Sequence, residues 1–95
     1  MTDADIRRVL IEVLTSIQLQ SGRPVPELTD DLRPLLDLEG FDSLNAEEAL
    51  VALITHLRFE FRHNPLFAQR SRRKLTIGEI VKVISNEMNA AVSSR

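Results

Sequence analysis

The stretch LTIGEIVKVISNEM, residues 75–88, contains the clearest helix start in the chain. Thr76 and Glu79 form a T-x-x-E pattern, in which each side chain accepts a hydrogen bond from the backbone N–H of the other residue. Leu75 and Ile80 occupy the two positions of a hydrophobic staple. Apolar residues then recur at helical spacing, which predicts one buried face. This face consists of Ile77, Ile80, Val81, Ile84 and Met88.

Two further segments have the same helical period. The apolar stripe of the first consists of Ile6, Val9, Leu10, Val13, Leu14 and Ile17, and Thr2 or Asp3 can cap its start. The stripe of the second consists of Leu50, Leu53, Ile54, Leu57 and Phe61, with Glu48, Thr55 and Phe59 on the opposite side. We therefore predict main helices near residues 3–19, 43–61 and 76–91. Six residues should be largely buried: Leu10, Val13, Leu53, Leu57, Ile80 and Ile84.

The links between these helices differ in character. The first, SGRPVPELTDDLRPLLDLEG, contains glycines and prolines that prevent a continuous helix, so we predict a long loop. Its leucines look partly buried: Leu32, Leu35, Leu36 and Leu38. The second, RHNPLFAQRSRRK, begins with a breaker at Asn64-Pro65 and has room for at most one short helix, near residues 66–69.

Composition supports an all-α class. The chain has 95 residues, of which 43% are hydrophobic but only 4% aromatic, as suits a small aliphatic helical bundle. We predict one domain over residues 1–95, with its core in residues 3–91. Cysteine is absent, which excludes disulfides, thiolate zinc sites and thiol chemistry by the chain itself.

Charge is distributed unevenly, although the net charge is only −2. Residues 27–48 contain eight acids and one base, Arg33, whereas residues 58–74 contain six Arg or Lys and one acid, Glu60. The basic run RSRRK is short and has no interleaved aromatic residue, so we expect no nucleic-acid partner. The N-terminus lacks the apolar run of a signal peptide and no segment reaches the length of a membrane span, which favours a cytoplasmic location.

No group of residues indicates catalysis. His56, Glu60 and His63 would share a face of a continuous helix, but polar residues on an exposed face need no metal to explain them. The carboxylate pairs Asp30-Asp31 and Glu47-Glu48 are typical of a solvated acidic surface. We therefore expect neither an enzyme nor a metal site.

The stretch LEGFDSLNAEEAL, residues 38–50, places Ser43 between an acidic turn and an amphipathic helix. Gly40 permits a tight turn, and Asp42 and Ser43 can stand at a helix N-terminus. The free N–H groups and positive dipole end of a helix suit a phosphodiester. Alternatively Ser43 is only an N-cap, a role that Asp42 or Asn45 could share.

The residues GFDSL, preceded by LLDLE and followed by an acidic helix, resemble the phosphopantetheine attachment site of acyl carrier proteins. KLTIGEIVKVISNEM resembles the last helix of that family, so the likeness covers residues 6–88. It implies that a phosphopantetheinyl transferase moves 4′-phosphopantetheine from coenzyme A onto Ser43. The arm then carries acyl groups as thioesters to acyl-activating, acyl-transferring or synthase enzymes, and the carrier itself is a non-catalytic monomer. We expect the surface that these partners contact to consist of Asp42, Leu44, Glu47, Glu48 and Val51.

The chain also departs from the family pattern. Many fatty acid carriers have a second acid two residues after the serine, where this chain has Asn45, and acids near the end of that helix, where it has Ile54, Thr55 and His56. The second link is longer and basic. These departures favour a specialised carrier in lipid or secondary-metabolite synthesis over housekeeping fatty acid biosynthesis. Two alternatives remain: a peptidyl carrier, and an unmodified helical domain that binds other proteins.

Overall fold

The fold of the described residues, 1–68 and 73–93, consists of helices in a computed structural model. The helices are α1 (Asp3–Gln20), α2 (Pro34–Asp37), α3 (Ser43–Leu57) and α4 (Ile77–Ser93). No strand forms in these residues, although Phe67 and Lys74 make an isolated antiparallel bridge. The predicted all-α class is therefore confirmed.

Helix α1 is the central helix, since it packs against both α3 and α4. Its start is a capping box: Thr2 Oγ1 accepts from the N–H of Asp5 at 3.2 Å, and Asp5 Oδ2 accepts from the N–H of Thr2 at 3.0 Å. Thr2, one of the two predicted caps, is thus the N-cap. The hydrogen bonds from Thr2 also lower the pKa of Asp5, because they favour its charged form.

The aliphatic core agrees with the predicted pattern on α1 and α4. All six residues that define the predicted bundle are buried: Leu10, Val13, Leu53, Leu57, Ile80 and Ile84. On α1 the rest of the predicted stripe is buried as well, except that Val9 lies partly buried at its edge. On α4, Met88 is likewise only partly buried.

The start of α4 confirms the predicted capping box and also anchors the first link. Thr76 N–H donates to Glu79 Oε1 at 2.9 Å, and Glu79 N–H donates to Thr76 Oγ1 at 3.1 Å. The next two N–H groups bond to the first link instead: Ile77 N–H donates to the carbonyl of Leu32 and Gly78 N–H to that of Asp30. Donors that every helix leaves unpaired at its N-terminus thus hold the long link in place.

Helix α3 is shorter than predicted. It ends at Leu57, not at residue 61, because Arg58 adopts a left-handed conformation with φ of 52° and ψ of 46°. A continued helix would have placed Phe59 on the side opposite the stripe. The reversal at Arg58 instead lets Phe59 and Phe61 both pack on the core, with their rings edge to face and 5.0 Å apart.

The buried face of α3 is rotated from the predicted stripe. Leu53 and Leu57 are buried as predicted, but Leu50 and Ile54 are only partly buried. The remaining positions of the buried face are Asn45, Ala46 and Ala49. Small residues at 46 and 49 allow a neighbouring element to come close to the α3 backbone, and Asn64 uses that access to donate to the carbonyl of Ala46 at 2.9 Å.

A short helix lies in the first link, which we predicted to be a long loop, whereas we had allowed for at most one short helix in the second link. Helix α2 begins with Pro34, which needs no N–H at that position, and Asp37 Oδ2 accepts from the N–H of Arg33 at 2.7 Å. Leu36 in α2, which we predicted to be partly buried, is exposed. In the second link, residues 65 and 66 form a turn, and residue 69 lies outside the described residues, as do residues 70–72 of the basic run.

Candidate functional site

Ser43 is the first residue of α3, and its side chain is exposed. Asp42 is the N-cap: its Oδ1 accepts from the N–H of Leu44 at 3.0 Å and from that of Asn45 at 3.2 Å. Within the described residues, the Ser43 hydroxyl makes no hydrogen bond. The interpretation of Ser43 as an N-cap is therefore wrong, and capping does not explain why a serine stands here.

The turn before Ser43 is fixed by apolar side chains on both sides. Gly40 has φ of +71°, a left-handed conformation that favours glycine. Leu38 and Phe41 are both buried, and the N–H of Phe41 donates to the carbonyl of Leu38 at 3.1 Å. The chain thus enters α3 from a turn that is anchored in the core, while Asp42 and Ser43 remain in solvent.

A polar network lies beneath this turn. Gln18 is fully buried near the end of α1, and its Nε2 donates to the carbonyls of Glu39, at 3.0 Å, and Pro24, at 3.4 Å. Arg23 Nη1 donates to Gln18 Oε1 at 3.4 Å and to Asn45 Oδ1 at 3.1 Å. Every buried side-chain polar atom of the described residues has a partner, as burial requires.

Asn45 belongs to this network and not to the exposed surface. It is only 6% exposed, its Oδ1 accepts from the N–H of Asp42 at 3.3 Å, and its Nδ2 donates to Glu48 Oε1 at 3.1 Å. Asp42 and Asn45 together form a capping box. The residue that we noted as a missing acid therefore has a structural role at the start of α3.

Sequence reasoning missed Arg23 and Gln18. A signal for Gln18 existed, because it stands four residues after Leu14 and so continues the apolar stripe of α1. A glutamine in that register predicts a buried amide that needs partners. Arg23 gave no such signal, since its partner Asn45 lies 22 residues away in the chain.

The five predicted partner-contacting residues all lie at the surface: Asp42, Leu44, Glu47, Glu48 and Val51. Leu44 is 70% exposed and Val51 is 65% exposed, which is high for large apolar side chains. Leu44, Glu47, Glu48 and Val51 recur at spacings of three, four and seven residues, so they share one face of α3. This face combines apolar side chains with negative charge immediately after Ser43.

The structure also places the two histidines and one of the carboxylate pairs that the sequence analysis considered. Because α3 ends at Leu57, His56, Glu60 and His63 do not lie on one continuous helix. No group of three potential metal ligands occurs in the described part of the chain. Asp30 forms a two-point ion pair with Arg7, with N–O distances of 2.7 and 3.1 Å, and is thus a structural residue.

Two surface cavities lie away from Ser43. One, of about 150 Å³, is lined by Ile6, Phe59, Met88 and Val92 among others, and the second, of about 320 Å³, shares Phe59 and Ala91 with it. Both lie beside the C-terminal half of α4, whereas Ser43 is at the other end of α3 from Phe59. Neither cavity is lined by a residue of the turn at 38–42 or of α3.

Comparison with known proteins adds no relative. No protein family matches the chain, and neither a curated protein nor a solved structure is significantly similar to it. Among the described residues, no helix has the length and apolar character needed to cross a membrane.

Proposed function

We propose that the protein is an acyl carrier protein that bears 4′-phosphopantetheine on Ser43. The observation that carries this proposal is the setting of the serine: it is the first residue of α3, exposed, and free of the capping role that Asp42 performs. A hydroxyl in this position is open to a transferase. The GFDSL context and the helix order around it favour a carrier over an unmodified domain.

The attachment is a phosphoryl transfer. The Ser43 hydroxyl oxygen attacks the phosphorus atom of coenzyme A that bears pantetheine, and a new P–O bond forms. The bond from that phosphorus to the nucleotide breaks, adenosine 3′,5′-bisphosphate leaves, and the hydroxyl proton passes to a base of the transferase. The terminal thiol of the arm supplies the sulfur that the cysteine-free chain lacks, and it carries acyl groups as thioesters.

The start of α3 suits the product. A phosphodiester on Ser43 would sit at the positive end of the helix dipole, where negative charge is favoured, beside the Asp42 carboxylate that already accepts from the N–H groups of Leu44 and Asn45. The exposed face with Leu44, Glu47, Glu48 and Val51 lies beside the arm and provides apolar contact with charge steering toward basic partners. The tether raises the concentration of the acyl group at each partner's active site.

The departures from the family favour a specialised pathway in lipid or secondary-metabolite synthesis. Asn45 is buried in the capping box, so the acidic surface after Ser43 consists of Glu47 and Glu48 alone. A smaller acidic surface favours dedicated partners over the many enzymes of fatty acid biosynthesis.

The test is incubation with coenzyme A and broad-specificity phosphopantetheinyl transferases, followed by intact-mass spectrometry and peptide mapping. We expect one arm, on Ser43. Ser43→Ala should abolish the addition without unfolding the protein, whereas Ser21→Ala, at an exposed serine after α1, should leave it unchanged. A folded wild type that several transferases leave unmodified would favour the unmodified interaction domain. Addition to Ser43→Ala would place the arm on another residue.

A further inference from the structure

The side chain of Arg23 contacts three parts of the fold: the end of α1, the turn at Gly40 and the first turn of α3. Its Nη1 donates to Gln18 at the end of α1 and to Asn45 in the first turn of α3. Its stem crosses beneath Gly40, since Cδ and Nε lie 2.9 Å from the position that a Cβ atom on Gly40 would occupy. Arg23 is therefore at the point where α1, the turn at Gly40 and the start of α3 meet.

One oxygen atom connects Arg23 to the residue before Ser43. Asn45 Oδ1 accepts both from Arg23 Nη1, at 3.1 Å, and from the backbone N–H of Asp42, at 3.3 Å. Asp42 in turn holds the N–H groups of Leu44 and Asn45. The charge on Arg23 thus orients the Asn45 amide, and that amide orients the backbone on the N-terminal side of Ser43.

The amide of Gln18 holds the other end of the turn. Its Nε2 donates to the carbonyl of Glu39 at 3.0 Å, and its Oε1 is the second acceptor for Arg23. An arginine suits this place, because its planar fork offers several donors and keeps its charge at any physiological pH. Glu39 and Asp42, which flank Gly40 and Phe41 in sequence, are thereby joined to the Arg23 guanidinium. Gln18 makes the first connection and Asn45 the second.

We infer that Arg23 is a positioning residue, which acts through Asn45 and Gln18 to hold the turn of residues 38–42 in the conformation that presents Ser43 to the transferase. This inference rests on the proposed function. Removal of Arg23 leaves the exposed end of the turn with fewer contacts, so the competent conformation becomes a smaller fraction of the folded protein. The apparent affinity of the transferase for the carrier falls by that fraction.

The test compares Arg23→Met with Arg7→Met. Both variants lose an arginine that joins a link to α1, but Arg7 pairs with Asp30 and, among the described residues, makes no hydrogen bond or ion pair with the turn of residues 38–42. The KM and kcat of Ser43 modification are measured with coenzyme A and a broad-specificity phosphopantetheinyl transferase, and amide hydrogen exchange is measured at Phe41, Asp42 and Leu44. Arg23→Lys, which retains a cationic donor, serves as the conservative variant.

For Arg23→Met we expect KM for the protein to rise at least about threefold with kcat unchanged, and exchange of the three amides to speed up roughly tenfold. Arg7→Met should leave both quantities as in the wild type even where its melting temperature falls. Arg23→Lys should recover part of the loss.

Three results overturn the inference, and they are distinguishable. A wild type that is modified on Ser43, together with an Arg23→Met variant whose KM and turn exchange are unchanged, overturns the role of Arg23 and leaves the carrier function intact. A folded wild type that no transferase modifies overturns the proposed function and with it the presentation of Ser43. Equal effects of Arg7→Met and Arg23→Met on KM would also count against positioning, because they would show a general loss of stability.

Discussion

The side chain of Arg23 lies directly against Gly40. Its Cδ, Nε and Cζ atoms are 2.9–3.0 Å from the position that a Cβ atom on Gly40 would occupy. Gly40 therefore meets two requirements, a positive φ of +71° and space for a neighbouring side chain. Gly22 has nearly the same φ, +70°, but nothing lies within 4 Å of its Cβ position. Substitutions at the two glycines therefore allow the free-energy cost of backbone strain, present at both, to be distinguished from the cost of displacing Arg23, present only at Gly40.

We expect Gly40→Ala to destabilise the protein more than Gly22→Ala. Each substitution places a side chain in a left-handed conformation, which costs about 1–2 kcal/mol. Gly40→Ala also forces Arg23 away from Asn45, which adds roughly the value of a hydrogen bond to a charged group, about 1.5–3 kcal/mol. Urea unfolding of both variants measures the difference, and equal losses of stability would show that Arg23 moves aside without cost.

The left-handed residue at the end of α3 is open to stabilisation. Arg58 has φ of 52°, where glycine is favoured, and its side chain is exposed. Arg58→Gly should therefore raise the free energy of unfolding by up to about 1 kcal/mol, the relief of strain less the larger entropy of the unfolded chain. Arg58→Ala, which removes the charge but keeps a Cβ atom, is the matched control and should bring no gain. A gain in both variants would attribute the effect to the charge.

The capping box of α4 makes stability depend on acid pH. The N–H of Thr76, and then the side chain of Arg73, lower the pKa of Glu79 from its ordinary 4.5 to about 2. Because the folded state has the lower pKa, the stabilisation is complete above pH 4.5 and is lost as the pH falls toward about 2.

Glu79→Gln should therefore be less stable than the wild type at pH 7, and the gap should close between pH 4.5 and about 2. Thermal unfolding across this range measures it. Glu12→Gln, at an exposed position of α1, is the control and should follow the wild-type profile. A gap of constant size at all pH values would show that the loss comes from packing and not from the charge of Glu79.

Local signals account for what could be predicted from the sequence. The capping box of Thr76 and Glu79 is confirmed because all its atoms lie within four residues, and the core positions of α1 follow from a period that is not interrupted. The predicted buried face of α3 was partly wrong. The predicted stripe extended to Phe61, past the left-handed residue Arg58, whose conformation no local residue pattern predicts. The buried face is also rotated, because the stripe omitted the small residues Ala46 and Ala49, which are buried, and included Leu50 and Ile54, which are only partly buried.

In the candidate site, too, local sequence predicts some features, whereas others depend on residues that are distant in sequence. The exposure of Ser43 and of the acids after it follows from their positions around the α3 period, and the positive φ of Gly40 follows from the turn. The role of Asn45 in the buried polar network could not be predicted from the sequence. That role depends on a hydrogen bond from Arg23, which lies in the long first link, 22 residues before Asn45. Asn45, which we noted as a departure from the acidic surface of the carrier family, is in fact buried.

The acidic face of α3 should steer association with a partner enzyme, an expectation that rests on the proposed function. Glu47 is exposed and lies beside Leu44 and Val51, so Glu47→Lys should slow association with a basic partner such as the transferase. The effect should be largest at low salt and shrink as the Debye length falls toward about 8 Å near physiological ionic strength. Glu47 is a better probe than Glu48, which accepts from Asn45 and whose loss would disturb the start of α3.

Glu12→Lys, which makes the same change of charge on α1, is the matched control. Stopped-flow or surface-binding measurements of the association rate at several salt concentrations test the prediction, and circular dichroism checks that the variants remain folded. Exposed charges contribute little to stability, so both variants should unfold close to the wild-type midpoint. If Glu47→Lys and Glu12→Lys slow association equally, the effect comes from net charge alone, and the face of α3 beside Ser43 is not the surface that the partner contacts.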